Sequence, residues 1–131
     1  MAHESILVVD DQPMNVKLLR LVLELEGYQV ETAGSPEEAL AILQDFHPRI
    51  ILMDFRLPGM DGIELTKKLK ADPEKKDVLI LMVTSFVQAG EKERAMEAGC
   101  DGYLSKPIDT QKLPVIIAEY LKKDMNRKGK P

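Results

Sequence analysis

Tryptophan is absent from this sequence, cysteine occurs once, and aromatic residues make up only 5% of it. The lone Cys100 has no intrachain partner for a disulfide, so a reducing cytoplasm is the expected compartment. No apolar run approaches the roughly 20 residues needed to span a bilayer, and no membrane association is expected. The segment Met1-Ala2-His3-Glu4-Ser5 lacks the basic and apolar regions of a signal peptide, and the initiating Met1 favours a native start. An excess of positive charge is also missing. Lys+Arg number 18 against 22 Asp+Glu, and the net charge of -4 gives no electrostatic reason to bind nucleic acid or an anionic surface. Internal repeats and low-complexity linkers are absent. What is present is 131 residues, 44% hydrophobic and 31% charged, enough for one globular domain with a real core.

Short apolar runs alternate with segments of helical period. Ser5–Asp10 is a continuous β-branched and leucine run, the signature of a strand covered on both faces. Met14–Glu26 places Met14, Leu18, Leu21, Val22 and Leu25 on one helical stripe, with Gly27 as the stop. Gln29–Ala33 alternates and reads as a strand nearer the edge. Ser35-Pro36-Glu37-Glu38 is a capping box that opens a helix burying Ala39, Ile42, Leu43 and Phe46. Ile50–Asp54 is a second apolar strand, followed by a Pro58-Gly59 turn and a helix over Gly62–Ala71 that presents Leu65 and Leu69. Leu79–Thr84 is a third apolar strand, Ala89–Ala98 a weakly amphipathic helix ended by Gly99, and Gly102–Ser105 a short strand. The last helix, Leu113–Lys123, is expected to bury Ile116, Ile117, Tyr120 and Leu121. Pro114 fits it only if the helix begins near Leu113.

Five strands alternating with five helices predict an α/β domain, a doubly wound five-stranded parallel sheet; of the two common strand orders, 2-1-3-4-5, similar to the flavodoxin arrangement, is the one favoured at this size. The domain is expected to occupy residues 1–124. Residues 125–131, with Arg127, Lys128 and Lys130, read as a basic, disordered tail.

In such a sheet, function collects at the carboxyl ends of the strands. Here these ends carry Asp10-Asp11, Asp54, Thr84-Ser85 and Ser105-Lys106-Pro107, each directly after an apolar stretch. Taken singly, each has an ordinary explanation: acids favoured at a helix start, an Asp before a Pro-Gly turn, a threonine cap, a solvated lysine. Together they do not. Carboxylates gathered at one edge repel one another unless a cation is present. Oxygen-only ligands on a rigid edge suit Mg²⁺, which accepts one or two carboxylates plus phosphate oxygens, with Mn²⁺ as a substitute. In that setting Asp54 is the expected nucleophile toward a phosphoryl group, Asp11 a direct metal ligand and Asp10 its helper. Lys106 and the Thr84 hydroxyl would bind the equatorial oxygens.

The acid pair in LVVDD, the IILMDFRLPGMDG stretch, the LMVTS strand and GYLSKP resemble, in this order, the receiver domain of bacterial two-component response regulators, over Ile6 to Leu121. The DDQPMN run with Asn15, and the lack of an output domain in these residues, are similar to stand-alone single-domain regulators and to the receivers of hybrid histidine kinases. The resemblance implies a cytoplasmic phosphorelay protein that is not an enzyme beyond catalysing its own phosphorylation and dephosphorylation. It implies a phosphohistidine on a histidine kinase or histidine phosphotransfer protein as donor, and a downstream effector protein as reader. It maps metal ligands onto Asp11, Asp54 and the backbone carbonyl of Arg56 with Asp10 adjacent, the switch pair onto Thr84 and Tyr103, and a cis peptide onto Lys106-Pro107. Ser85 stands where alanine is common in the family. Arg56 and Phe86 border the phosphoryl site, where they would set the lifetime of the phosphorylated state.

Three other readings compete. A haloacid-dehalogenase-type phosphatase needs a second aspartate two residues after the nucleophile, where this chain has Arg56. A flavodoxin-like cofactor carrier needs a hydroxyl- and glycine-rich phosphate loop, and here that loop begins with Asp10-Asp11. A receiver-like scaffold that is never phosphorylated shares the fold, although every chemical position is intact.

Overall fold

The computed structural model describes residues 4–57, 59–84 and 90–128, the last three of them as backbone only. Pro58, Ser85, Phe86, Ala89 and Lys130 lie outside the described residues, as do the side chains of Arg127 and Lys128.

The elements follow the chain as β1 (Ser5–Val9), α1 (Pro13–Leu25), β2 (Gln29–Ala33), α2 (Pro36–Ile42), β3 (Ile50–Asp54), α3 (Gly62–Ala71), β4 (Leu79–Thr84), α4 (Glu91–Ala98), β5 (Gly102–Ser105) and α5 (Leu113–Lys128). All strand pairs are parallel, and the sheet order is β2-β1-β3-β4-β5. The order agrees with the sequence expectation. Alternate residues of the central strands face opposite sides. Leu7, Val9, Ile51, Met53, Ile80 and Met82 pack under α2, α3 and α4. Ile6, Val8, Ile50, Leu52, Leu79 and Leu81 pack under α1 and α5. Burial on both faces explains why these strands read as unbroken apolar runs rather than as alternating ones.

Local chemistry sets the helix starts. The Ser35 side chain accepts the Glu38 N–H at 3.1 Å, and Glu38 reaches back to the Gly34 N–H, one residue before the cap. Asp61 caps α3 by accepting the Glu64 N–H at 2.9 Å. Pro114 sits in the first turn of α5, where its missing N–H leaves no helix bond unmade.

Two expectations require correction. The stripe Met14, Leu18, Leu21, Leu25 does not face the core: Met14 and Leu25 are 78% and 76% exposed, and Leu18 and Leu21 are exposed as well. Leu19 and Leu23 are buried instead, with Val22 packed beside them. Lys17, Arg20 and Glu24 make a single polar side on this helix, so periodicity offered more than one apolar stripe and contact with the sheet selected another one. The second correction concerns α5, which runs to Lys128 rather than ending near Lys123. No glycine or further proline follows Pro114 before Gly129. Asp124 is buried and holds Arg49 at 2.9 Å, while Arg49 also holds Glu4 at 3.0 Å. The turn beyond Lys123 is thereby tied to the amino-terminal ends of β1 and β3.

Candidate functional site

Strand register builds the site. Val9 pairs with Met53, Asp54 with Val83 and Thr84 with Ser105. The residues leaving β1, β3, β4 and β5 therefore arrive level with one another at the carboxyl edge. Asp10 stays aligned with the sheet through its N–H, which donates to the Ala33 carbonyl at 3.0 Å. The Lys106 N–H donates to the Thr84 carbonyl at 2.6 Å, and the Lys106-Pro107 peptide is cis.

Asp10, Asp11 and Asp54 each offer a carboxylate oxygen, and these oxygens lie within 4.8 Å of one another. Asp10 and Asp54 are buried, whereas Asp11 is exposed. The two buried carboxylates are held alike. One oxygen of Asp10 accepts the Gln12 N–H at 2.9 Å, and one oxygen of Asp54 accepts the Arg56 N–H at 3.3 Å. Their other oxygens meet the Lys106 ammonium at 3.3 Å and 3.2 Å. Lys106 thus pairs with two of the three clustered carboxylates. Burial pushes the Asp54 carboxyl above the usual carboxylate range and Asp10 pushes it the same way, against the pull of Lys106 and the Arg56 N–H. A hard, oxygen-seeking cation relieves that repulsion, and this all-oxygen donor set with one open, exposed member fits such an ion.

The backbone of Asp54 is closely backed. A Cβ added at Gly62 would lie 2.5 Å from the Asp54 carbonyl oxygen and 2.9 Å from the Met82 sulfur. Only glycine lets α3 start this close to the end of β3, and the Gly62 N–H donates to the Phe55 carbonyl at 2.9 Å.

On the other side, Thr84 is buried and its hydroxyl donates to a Glu91 carboxylate oxygen at 3.3 Å. The other Glu91 oxygen lies 3.8 Å from the Arg56 guanidinium. Tyr103, on β5, has its hydroxyl shut off from solvent, with no hydrogen-bond partner among the described residues. Burial raises the pKa of that hydroxyl, and the charges of Glu91 and Glu93 raise it further. A cavity of about 280 Å³ opens between the acid cluster and α1, lined by Asp10, Asn15, Leu18, Leu19, Lys106 and Pro107.

The structure thus brings together Asp10, Asp11, Asp54 and Lys106, with Thr84 on the neighbouring strand end. Sequence reasoning missed three contributors. Gln12 and Gly62 act through their backbones, which leave no side-chain signal. Glu91 lies in the first turn of a helix, where acids are ordinary, and nothing in its neighbours along the chain announces its burial.

The sequence profile described as "Response regulator receiver domain" matches residues 6–118. The polar-differentiation response regulator DivK of Brucella ovis is 39% identical over 118 residues, covering 90% of this chain and 96% of its own length. Among solved structures, a CheY-like response regulator receiver domain protein from Methanospirillum hungatei superposes with a TM-score of 0.89 at 30% identity, covering 96% of this chain and 99% of its own. The receiver domain of a sensor histidine kinase from Pseudomonas aeruginosa, described with a magnesium ion coordinated in its active site cleft, superposes with a TM-score of 0.83 at 30% identity. That match covers 92% of this chain and 99% of the other. Among the described residues, no helix is long and apolar enough to cross a membrane.

Proposed function

The chain belongs to the response regulator receiver domains, the signalling modules of phosphorelays, and from that premise we propose that Asp54 is its phosphoacceptor. One observation carries the reading: Asp54 is buried within 4.8 Å of two further carboxylates while its outer oxygen meets Lys106 at 3.2 Å. A carboxylate in that setting is positioned to attack phosphorus and is matched by groups for the oxygens around it.

The donor is a phosphohistidine on a histidine kinase or histidine phosphotransfer protein. An Asp54 oxygen forms the new P–O bond as the P–N bond breaks, and the electron pair and a solvent proton go to the departing imidazole. Lys106 follows the charge from the Asp54 carboxylate to an equatorial phosphoryl oxygen. Asp11, Asp54 and the Arg56 carbonyl would hold Mg²⁺, or Mn²⁺ in its place, with Asp10 adjacent. The ion would neutralise part of the charge that two approaching anions bring together. Thr84 then turns its hydroxyl to the phosphoryl group, the Tyr103 ring turns inward, and the altered face is read by a downstream effector protein. The only reactions the domain catalyses are its own phosphorylation and dephosphorylation. Residues 1–124 constitute the receiver proper, with 125–131 as a basic tail, although α5 runs to Lys128.

The exposed α1 stripe supports a protein donor. Leu18 both lines the cavity beside Asp10 and Lys106 and belongs to the outward row with Met14, Leu21 and Leu25. An apolar surface continuous with the phosphoryl site suits the partner that must deliver the group there.

Intact-mass measurement with a small phosphodonor and Mg²⁺ tests the assignment. Wild type is expected to gain one hydrolysable phosphoryl group and Asp54→Asn none. No gain in wild type favours the unphosphorylated scaffold, and an equal gain in the variant moves the acceptor elsewhere. Turnover of a phosphatase substrate would instead favour the dehalogenase-type chemistry, against which Arg56 stands at the position of the general acid.

A further inference from the structure

Two acids occupy the first turn of α4, and they behave differently. Glu93 is exposed, as expected of an acid that answers the helix dipole from solvent. Glu91 is only 4% exposed, although burying a carboxylate costs free energy that exposure would avoid. Its neighbour Gly90 caps the helix without a side chain, so no local capping need turns Glu91 inward. What it meets inside is the Thr84 hydroxyl at 3.3 Å and, more loosely, the Arg56 guanidinium at 3.8 Å. A carboxylate only accepts, so the hydroxyl must be the donor. A threonine hydroxyl carries a single hydrogen, and a phosphoryl oxygen on Asp54 needs that same hydrogen.

We infer that Glu91 is a positioning residue that holds the domain in its resting conformation by competing with the phosphoryl group for the Thr84 hydrogen. The inference rests on Asp54 being the phosphoacceptor. Glu91 links the ends of β3 and β4 to the start of α4, so losing Thr84 frees the carboxylate that anchors this helix. Tyr103 lies close enough for Glu91 to perturb its hydroxyl, and that hydroxyl has no partner among the described residues. It is, beside Arg56, a donor available to Glu91 among the described residues once Thr84 has turned away. Phosphorylation is thereby coupled to movement of both α4 and Tyr103 through one carboxylate.

The test is a calorimetric titration with beryllofluoride, a phosphoryl mimic, in the presence of Mg²⁺. Glu91→Ala is expected to tighten binding on the order of tenfold, the worth of one hydrogen bond to a charged acceptor. Glu91→Gln keeps the shape and an acceptor but not the charge, so it should tighten binding by a smaller factor, and it serves alone if the alanine variant does not fold. In a Thr84→Val background, neither substitution should change the affinity. Unchanged or weaker binding in the Glu91 variants overturns the inference, as does tightening that persists without the Thr84 hydroxyl. Failure of wild type to bind beryllofluoride overturns the phosphoacceptor reading as well, which separates the two failures.

Discussion

At the scale of single residues, the site is a problem of charge held in place by backbone. Asp54 and Asp10 each keep one oxygen on an N–H two residues onward and the other on Lys106. Lys106 answers only part of the negative charge, and burial together with Asp10 raises the Asp54 pKa above its ordinary 3.8. The unfolded chain releases this proton at the lower value. Between the two values the native state holds more protons, so stability falls as the pH rises through that interval. In chelator at neutral pH, the ionised Asp54 is therefore a cost. Asp54→Asn is expected to melt at a higher temperature than wild type at pH 7, with the difference closing as the pH falls toward 3.8. Thermal melts across that range decide it, and an equal or lower melting temperature for the variant at pH 7 would contradict the charge argument.

At the scale of elements, α1 is the helix whose two faces differ most in role. Leu19 and Leu23 pack against β-sheet residues such as Ile6 and Val8, whereas Leu18 and Leu21 point outward. Leu19→Ala is expected to destabilise the domain by about 2–5 kcal/mol through the cavity it leaves. Leu21→Ser should change stability by no more than about 0.5 kcal/mol, because it removes no buried contact. Phosphorylation separates the two further. Leu18→Ser with Leu21→Ser should leave labelling by a small phosphodonor intact and slow transfer from a phosphohistidine protein. Equal slowing with both donors would count against α1 as the docking face. The α5 terminus has the opposite character. Its last turns are anchored through Asp124 and Arg49 at the amino-terminal edge of the sheet, far along the strands from the phosphoryl site.

At the scale of the whole molecule, a parallel sheet covered on both faces leaves one open edge where every strand ends in the same direction. The repulsion among Asp10, Asp11 and Asp54 is gathered at that edge, so relief of it should appear as global stability. A cation that binds the native state and not the unfolded chain stabilises by mass action, by about 2.7 kcal/mol at a hundred times its dissociation constant. Adding Mg²⁺ is expected to raise the melting temperature of wild type and to do so far less in Asp11→Ala. An identical rise in both would move the metal away from Asp11.

Much of this was legible along the chain, for a physical reason. Strands buried on both faces must be apolar throughout, so β1, β3 and β4 announced themselves, and the polar residue ending each run marked the functional edge. Capping residues and glycines set helix starts and ends through contacts a few positions away, and Ser35 and Gly99 act within that range. Choices among equivalent local solutions were not legible. The rotation of α1 was open because more than one apolar stripe shared its surface, and only packing on the sheet chose Leu19 and Leu23. The burial of Asp124 in the extended part of α5 is matched by Arg49, which lies 75 positions from it in the chain. The inward turn of Glu91 toward Thr84 needs the end of β4 and the start of α4 brought face to face. The sequence by itself determined the parallel sheet and the residues at its carboxyl edge, because those follow from local apolarity and chirality. Only the tertiary structure decided which helix faces stay exposed and which carboxylate grips the switch threonine, because those depend on contacts between distant segments.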